Sequence, residues 1–187
     1  MIELELKGVV ADTAAVIGRL RRAGAREVES GRMIDLRYDF PDGSLTMKDE
    51  VVRLRILEQR AGGVKATLDW KGPASVDAGY KCREELITAV DAPDVMREVL
   101  RRVGLRVTRT IERQIDQFDL DDTTVRFEHY QQMDDLVEVE GDPGGIERAI
   151  TVMGLPRESF TSESLVAFTQ RFTARTGLPS ITGQEGG

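Results

Sequence analysis

Several segments of this chain alternate along the backbone with one aliphatic face and one charged face. Residues 1–8 set Ile2, Leu4 and Leu6 against Glu3, Glu5 and Lys7, and residues 51–57 set Val52, Leu54 and Ile56 against Arg53 and Arg55. A period of two is the mark of a strand. In an ordinary half-exposed antiparallel sheet the polar face mixes Thr, Ser, Lys and Glu toward water. Here Glu, Arg and Lys recur at successive alternate positions. A sheet that closes with that face inward encloses a charged interior, which is unfavourable unless a ligand and metal complete it.

The remaining chain supplies the other strands and a few helices. Extended stretches are expected at 26–40, 64–71, about 80–90, about 105–120, 123–130 and 135–141, with turns at Pro41-Asp42-Gly43 and Ala61-Gly62-Gly63. Asp12 is placed to cap a helix carrying Ala15, Val16, Ile17 and Leu20. Asp91-Ala-Pro-Asp94 and Asp142-Pro-Gly-Gly open two more helices, and a last helix is expected from about Glu158 to Thr176. The sum is an α+β fold of about eight strands with helices at a few connections, in one domain over 1–178; closed into an eight-stranded antiparallel barrel with the helices packed outside, it would carry the charged faces inward. Residues 179–187 read as a disordered tail.

Composition removes several function classes. A single cysteine, Cys82, and a single histidine, His129, leave neither a thiolate zinc site nor a His-rich metal site. Any metal must be held by oxygen, which favours Mg²⁺ or Mn²⁺ over zinc. The formal net charge of −7 argues against broad nucleic-acid binding. No apolar run approaches the roughly 18 residues of a membrane span, and the start lacks a signal peptide's basic and apolar regions. The expectation is a cytoplasmic protein without nucleic-acid or membrane partners, and nothing stands against a homodimer.

Five motifs then occur in one order: Glu3-Leu-Glu5-Leu-Lys7, Val52-Arg53-Leu54-Arg55-Ile56, Trp70-Lys71-Gly72-Pro73, Arg83-Glu84-Glu85, and the run from Val125 through Glu128 to Glu138-Val-Glu140. In that order they resemble the CYTH domain of the triphosphate tunnel enzymes. That family includes class IV adenylate cyclases, thiamine triphosphatases and inorganic tripolyphosphatases. The likeness spans about 1–140.

The resemblance implies a tunnel in which basic side chains grip a triphosphate and acidic ones hold Mg²⁺ or Mn²⁺. Lys7, Arg37, Arg53, Arg55, Lys71, Arg83 and Arg113 are the expected phosphate ligands, since Arg offers paired donors and Lys a compact charge. Glu3, Glu5, Glu138 and Glu140 are the expected metal side, with Glu85 and Glu128 as supporting groups or further ligands. Glu5, Lys7 and Glu138 are expected nearest the chemistry. The leading expectation is a triphosphatase acting on tripolyphosphate or a small organic triphosphate such as ATP or thiamine triphosphate. An adenylate cyclase and a non-catalytic triphosphate binder are the alternatives.

Four departures qualify the resemblance. Arg113 stands at the Lys position of a K-x-R pair, but Ile115 replaces its Arg. Glu128 stands for Asp, and a C-terminal Ser-Tyr appears as Ser164-Leu165. Arg37 sits where Tyr is common and is expected to restore part of the guanidinium lost at 115. His129 and Cys82 alternate to the opposite faces from Glu128 and Arg83, and are expected to be packing or surface residues. Trp70 is expected to pack on the barrel.

Overall fold

The computed structural model describes residues 2–185. Eight strands form the wall: β1 (Ile2–Val9), β2 (Arg26–Asp39), β3 (Val51–Gln59), β4 (Val64–Lys71), β6 (Tyr80–Ala89), β7 (Arg106–Leu120), β8 (Thr123–His129) and β9 (Leu136–Glu140), with the short β5 (Ser75–Asp77) beside β6. They pair antiparallel in the order β1-β9-β8-β7-β2-β3-β4-β6, and β6 returns to β1 to close the barrel. Closure leaves none of these eight strands as a bare sheet edge.

Alternation assigns the two faces, and the apolar one lies outside. Leu6, Phe118, Val125, Phe127, Val137 and Val139 are fully buried against α1 (Thr13–Arg22) and α4 (Pro143–Met153), which contribute Val16, Leu20, Ile146, Ala149, Ile150 and Met153. Phe118 and Phe127 meet edge to face at 6.1 Å, the arrangement their ring quadrupoles favour. A second cluster joins Leu36, Tyr38, Leu54 and Ala66 to Leu100 of α3 (Pro93–Arg102). Burying aliphatic outer faces beneath helices leaves the charged faces no place except the interior.

The expected caps are present: Asp12 accepts from the Ala15 N–H and Asp142 from the Gly145 N–H, both at 2.9 Å. Gly31 has a special role in β2. At φ 150° it brings β3 so close that an added Cβ would lie 2.1 Å from the Glu58 carbonyl oxygen.

The segment after α4 departs from the sequence reading. The last helix, α5 (Leu165–Thr176), starts later than Glu158 because Phe160 and Thr161 form an extended β10 paired with Gly8 and Lys7 of β1. Phe160 is thereby buried in the main core. Residues expected as an unstructured tail are held: Ile181 bridges Gln132, and β11 (Gly183–Glu185) pairs with the stretch of β7 that β8 does not reach. Residues 186–187 of that expected tail lie outside the described residues. A four-residue α2 (Ser44–Met47) is organised by Asp39, whose carboxylate accepts from the Leu45 and Thr46 backbone N–H groups.

Candidate active site inside the barrel

The barrel encloses a cavity of about 510 Å³. All thirteen residues expected at the site from sequence line it: Glu3, Glu5, Lys7, Arg37, Arg53, Arg55, Lys71, Arg83, Glu85, Arg113, Glu128, Glu138 and Glu140. Lys81, Arg126, Asp35 and Asp69 join them. Lys81 shares the parity of Arg83, and Arg126 that of Glu128. The same alternation rule therefore contained both cations, although Lys81 lies in none of the five motifs and Arg126 is given no role in the run that contains it.

The cations of the cradle are fixed by carboxylates beneath them. Asp35 accepts from Arg55 at 2.8 and 3.0 Å, from Arg113 at 3.0 Å, and lies 3.5 Å from Arg53. Arg53 also donates to Asp69 at 2.8 and 2.5 Å. Glu128 accepts from Lys7 at 3.2 Å, Arg113 at 2.8 Å and the Tyr130 hydroxyl at 2.9 Å. Burial alone would raise the pKa of each carboxyl. For Asp35 the three guanidiniums outweigh it and hold the group well below the usual range. Lys7, Arg113 and Arg126 do the same for Glu128. Geometrically, Glu128 is thus a partner of tunnel bases.

The acidic side of the cavity is distinct. Glu3, Glu5 and Glu140 bring carboxylate oxygens within 4.8 Å of one another. Glu138 instead faces Lys7 at 2.5 Å and pairs with Arg126. Glu85 pairs with Lys71, whose ammonium also lies 3.2 Å from Glu3. Despite burial, Glu5 is held down at about 2 by Lys81 and Lys7. Glu3 is pushed up by burial, by its hydrogen bond with Glu85 and by nearby carboxylates. Glu140 is pushed up by burial and by Glu3 and Glu5, against the pull of Arg126. Three crowded oxygen donors, two of them short of compensating charge, fit a hard divalent cation such as Mg²⁺ or Mn²⁺.

A pH dependence follows. A carboxyl whose folded pKa is raised adds stability below its unfolded value, and that contribution is lost as pH rises through the folded value. Glu3 and Glu140 therefore weigh against the metal-free fold near neutrality. A divalent cation held there would take the deprotonated pair, so Mg²⁺ is expected to raise the melting temperature more at about pH 7.5 than at about pH 5. Calorimetry in two buffers of different ionisation enthalpy should show proton release on binding. An equal thermal shift at both pH values would contradict the assignment.

Arg37 is unlike its neighbours. No carboxylate pairs with it among the described residues, and its buried Nε has no hydrogen-bond acceptor. Burial and the nearby Arg53, Arg109 and Arg113 bring its pKa down to about 10. It does not take the place of an arginine at 115. Ile115 lies opposite Gly31 and Arg37 opposite Arg109. These positions are six residues apart, on the order of 20 Å along a strand. Ile115 itself is fully buried with Met33 and Leu57 in a small apolar belt on the inner face. Arg83, expected in the cradle, lines it while bonding Asp49 of the loop before β3 at 2.5 Å.

The remaining candidates lie elsewhere. His129 contacts Asp135 at 2.9 Å and Asp116 at 3.7 Å on the outer side. Trp70 lies in a shallow external groove with Val52, Leu68 and Leu86.

Fold and site together define a class: a closed antiparallel barrel whose interior pairs an arginine- and lysine-rich cradle with a cluster of carboxylates. The profile of the CYTH domain matches residues 1–149, and the chain belongs to that family. It is 26% identical over 106 residues to MJ0240 of Methanocaldococcus jannaschii, named as a candidate adenylate cyclase. That match spans 57% of this chain and 57% of the relative. Among solved structures, a candidate adenylate cyclase of Vibrio parahaemolyticus superposes with a TM-score of 0.76 at 18% identity, covering 91% of this chain and 98% of that one. HpAC1 from Hippeastrum, described as a candidate adenylyl cyclase with a dominant triphosphatase activity, has a TM-score of 0.58 at 17% identity, covering 94% and 95%. Among the described residues no helix is long and apolar enough to cross a membrane.

Proposed function

We propose that the protein is a divalent-metal-dependent triphosphatase that hydrolyses inorganic triphosphate or a small organic triphosphate inside the barrel. The observation that carries this reading is a set of buried guanidinium nitrogens without acceptors: Arg37 Nε, Arg83 Nε, Arg113 Nη1 and Arg126 Nε. Buried donors normally have partners. All four belong to side chains lining the cavity that also holds the Glu3–Glu5–Glu140 cluster. A polyphosphate offers many acceptor oxygens along a short charged chain, which suits such a set of donors.

The side chains divide the work. Arg37, Arg53, Arg55, Arg113 and Lys7 hold the phosphates in one orientation, with Asp35, Asp69 and Glu128 fixing most of these cations beforehand. That preorganisation leaves little rearrangement when charge develops on the transferred phosphoryl group. Glu3, Glu5 and Glu140 would hold the metal, which when bound neutralises phosphate charge and lowers the pKa of water. Glu5 stays anionic, and Glu138 with Lys7 stands beside the reacting region as a positioning pair.

The second reading, an adenylate cyclase, is favoured by the name of the M. jannaschii relative. The two differ in product. Purified protein is to be incubated with tripolyphosphate, ATP or thiamine triphosphate and Mg²⁺ or Mn²⁺. Orthophosphate release that Glu5→Gln abolishes is the expected result. Cyclic AMP with pyrophosphate would establish the cyclase instead. Tight triphosphate binding without either product would leave a binder.

A further inference from the structure

The inner face of β7 runs Arg113, Ile115, Gln117, so it carries a cation, then an aliphatic side chain, then an amide. Across the β7–β8 ladder Ile115 faces Glu128 directly, and Gln117 faces Arg126. Arg126 is therefore the diagonal neighbour of Ile115 on the same inner face, a relation that spans about 7–8 Å between backbones. A long guanidinium side chain covers that span.

Arg126 is about as buried as Glu138 and more deeply buried than Glu140. Its Nη2 donates to Glu138 and, at 3.1 Å, to Glu140. Its Nη1 reaches Gln117 only at 3.5 Å, and its Nε has no acceptor and lies 3.9 Å from Glu128. Arg126 thus joins the cradle's cations to the acidic cluster. Glu140, one of the three clustered carboxylates, is its direct partner. Two carboxylates do not exhaust its five donors.

We infer that Arg126 is a phosphate-binding residue that supplies from β8 the guanidinium β7 lacks at 115, and that it contacts the phosphate lying against the Glu3–Glu5–Glu140 cluster. This rests on the proposed triphosphate-binding function. It assigns the contact to a side chain that lies within the Val125–Glu140 run but is given no role by the resemblance. It also accounts for Ile115: a second arginine there would stand diagonal to Arg126 with Glu128 already shared by Lys7 and Arg113. The bland alternative is that Arg126 only neutralises Glu138 and Glu140.

The test is calorimetric titration of the full chain with tripolyphosphate in the presence of Mg²⁺, and separately with Mg²⁺ alone. Arg126→Gln should weaken tripolyphosphate binding by at least about tenfold, the effect of one lost charge-assisted contact. The transplant Ile115→Arg/Arg126→Gln should recover most of it. Mg²⁺ alone should bind Arg126→Gln no more weakly than wild type, because a competing cation has left the carboxylates.

Wild-type tripolyphosphate affinity in Arg126→Gln would overturn the inference and leave the proposed function standing. So would a transplant that recovers nothing. Wild-type protein that binds none of tripolyphosphate, ATP and thiamine triphosphate would overturn the proposed function, and the inference with it. Should Arg126→Gln fail to fold by circular dichroism, Arg126→Lys decides. It keeps the charge and loses the planar fork, so it should still bind several-fold more weakly, and unchanged affinity would overturn the inference.

Discussion

Asp35→Asn is expected to lower the melting temperature by roughly 6–20 °C, the largest stability effect of any single substitution in the cavity. Asp35 is the shared counterion of Arg53, Arg55 and Arg113 and is almost wholly buried. Removing one member of a buried ion pair costs about 3–5 kcal/mol because the other charge stays behind, and each kcal/mol shifts a domain of this size by about 2–4 °C. Here three guanidiniums stay behind. Tripolyphosphate should restore more melting temperature to Asp35→Asn than it adds to wild type, since it supplies the missing negative charge. A drop below about 3 °C would show that the guanidiniums are already solvated within the cavity.

The same carboxylate sets an acid limit. A carboxyl whose folded pKa is depressed contributes stability above its unfolded value and loses it as pH falls toward the folded value. Asp35, and Glu128 with it, are held well below the ordinary range by their cations. Wild-type stability should therefore fall from about pH 4 downward, and Asp35→Asn should lack part of that slope.

Arg37→Ala is expected to do the opposite. It should weaken tripolyphosphate binding on the order of 10²-fold, the effect of losing a paired contact to a charged group. It should leave the ligand-free protein as stable as before or more so. No carboxylate is stranded when Arg37 goes, and the departing charge has Arg53, Arg109 and Arg113 around it. Binding calorimetry and thermal melting on one variant check both halves. Undiminished affinity would remove Arg37 from the phosphate cradle, and a lower melting temperature would mean that an anion-like partner already holds it. The contrast separates side chains that build the cavity from those that await its ligand, a familiar trade of stability for function.

Much of the site was legible because strand parity is a local property. Once Glu3, Glu5 and Lys7 alternate with Ile2, Leu4 and Leu6, the carboxylates and the lysine must share a face, whatever the strand pairs with. The same rule aligned Arg53 with Arg55 and Glu138 with Glu140, and it held Lys81 and Arg126 unnoticed. The starts of α1 and α4 were legible for a similar reason, since the Asp12 and Asp142 caps act within three residues, whereas the start of α5 depended on the pairing of Phe160 and Thr161 with β1.

That the strands close into a barrel with its charges enclosed was decided by the tertiary structure. The alternating sequence by itself determined which side chains share a strand face, aliphatic on one side and charged on the other. It could not say which carboxylate meets which cation. Glu128 serves Lys7 and Arg113, Glu138 turns to Lys7 and Arg126, and Glu140 gathers with Glu3 and Glu5. Arg37 stands apart from Ile115 for the same kind of reason, because strand register sets their separation. Parity repeats every two residues within one strand, whereas partnership depends on the register of eight strands and on the side of the barrel from which each side chain arrives. Only closure of the barrel fixes those, and with them which charges neutralise one another and which are left for a ligand.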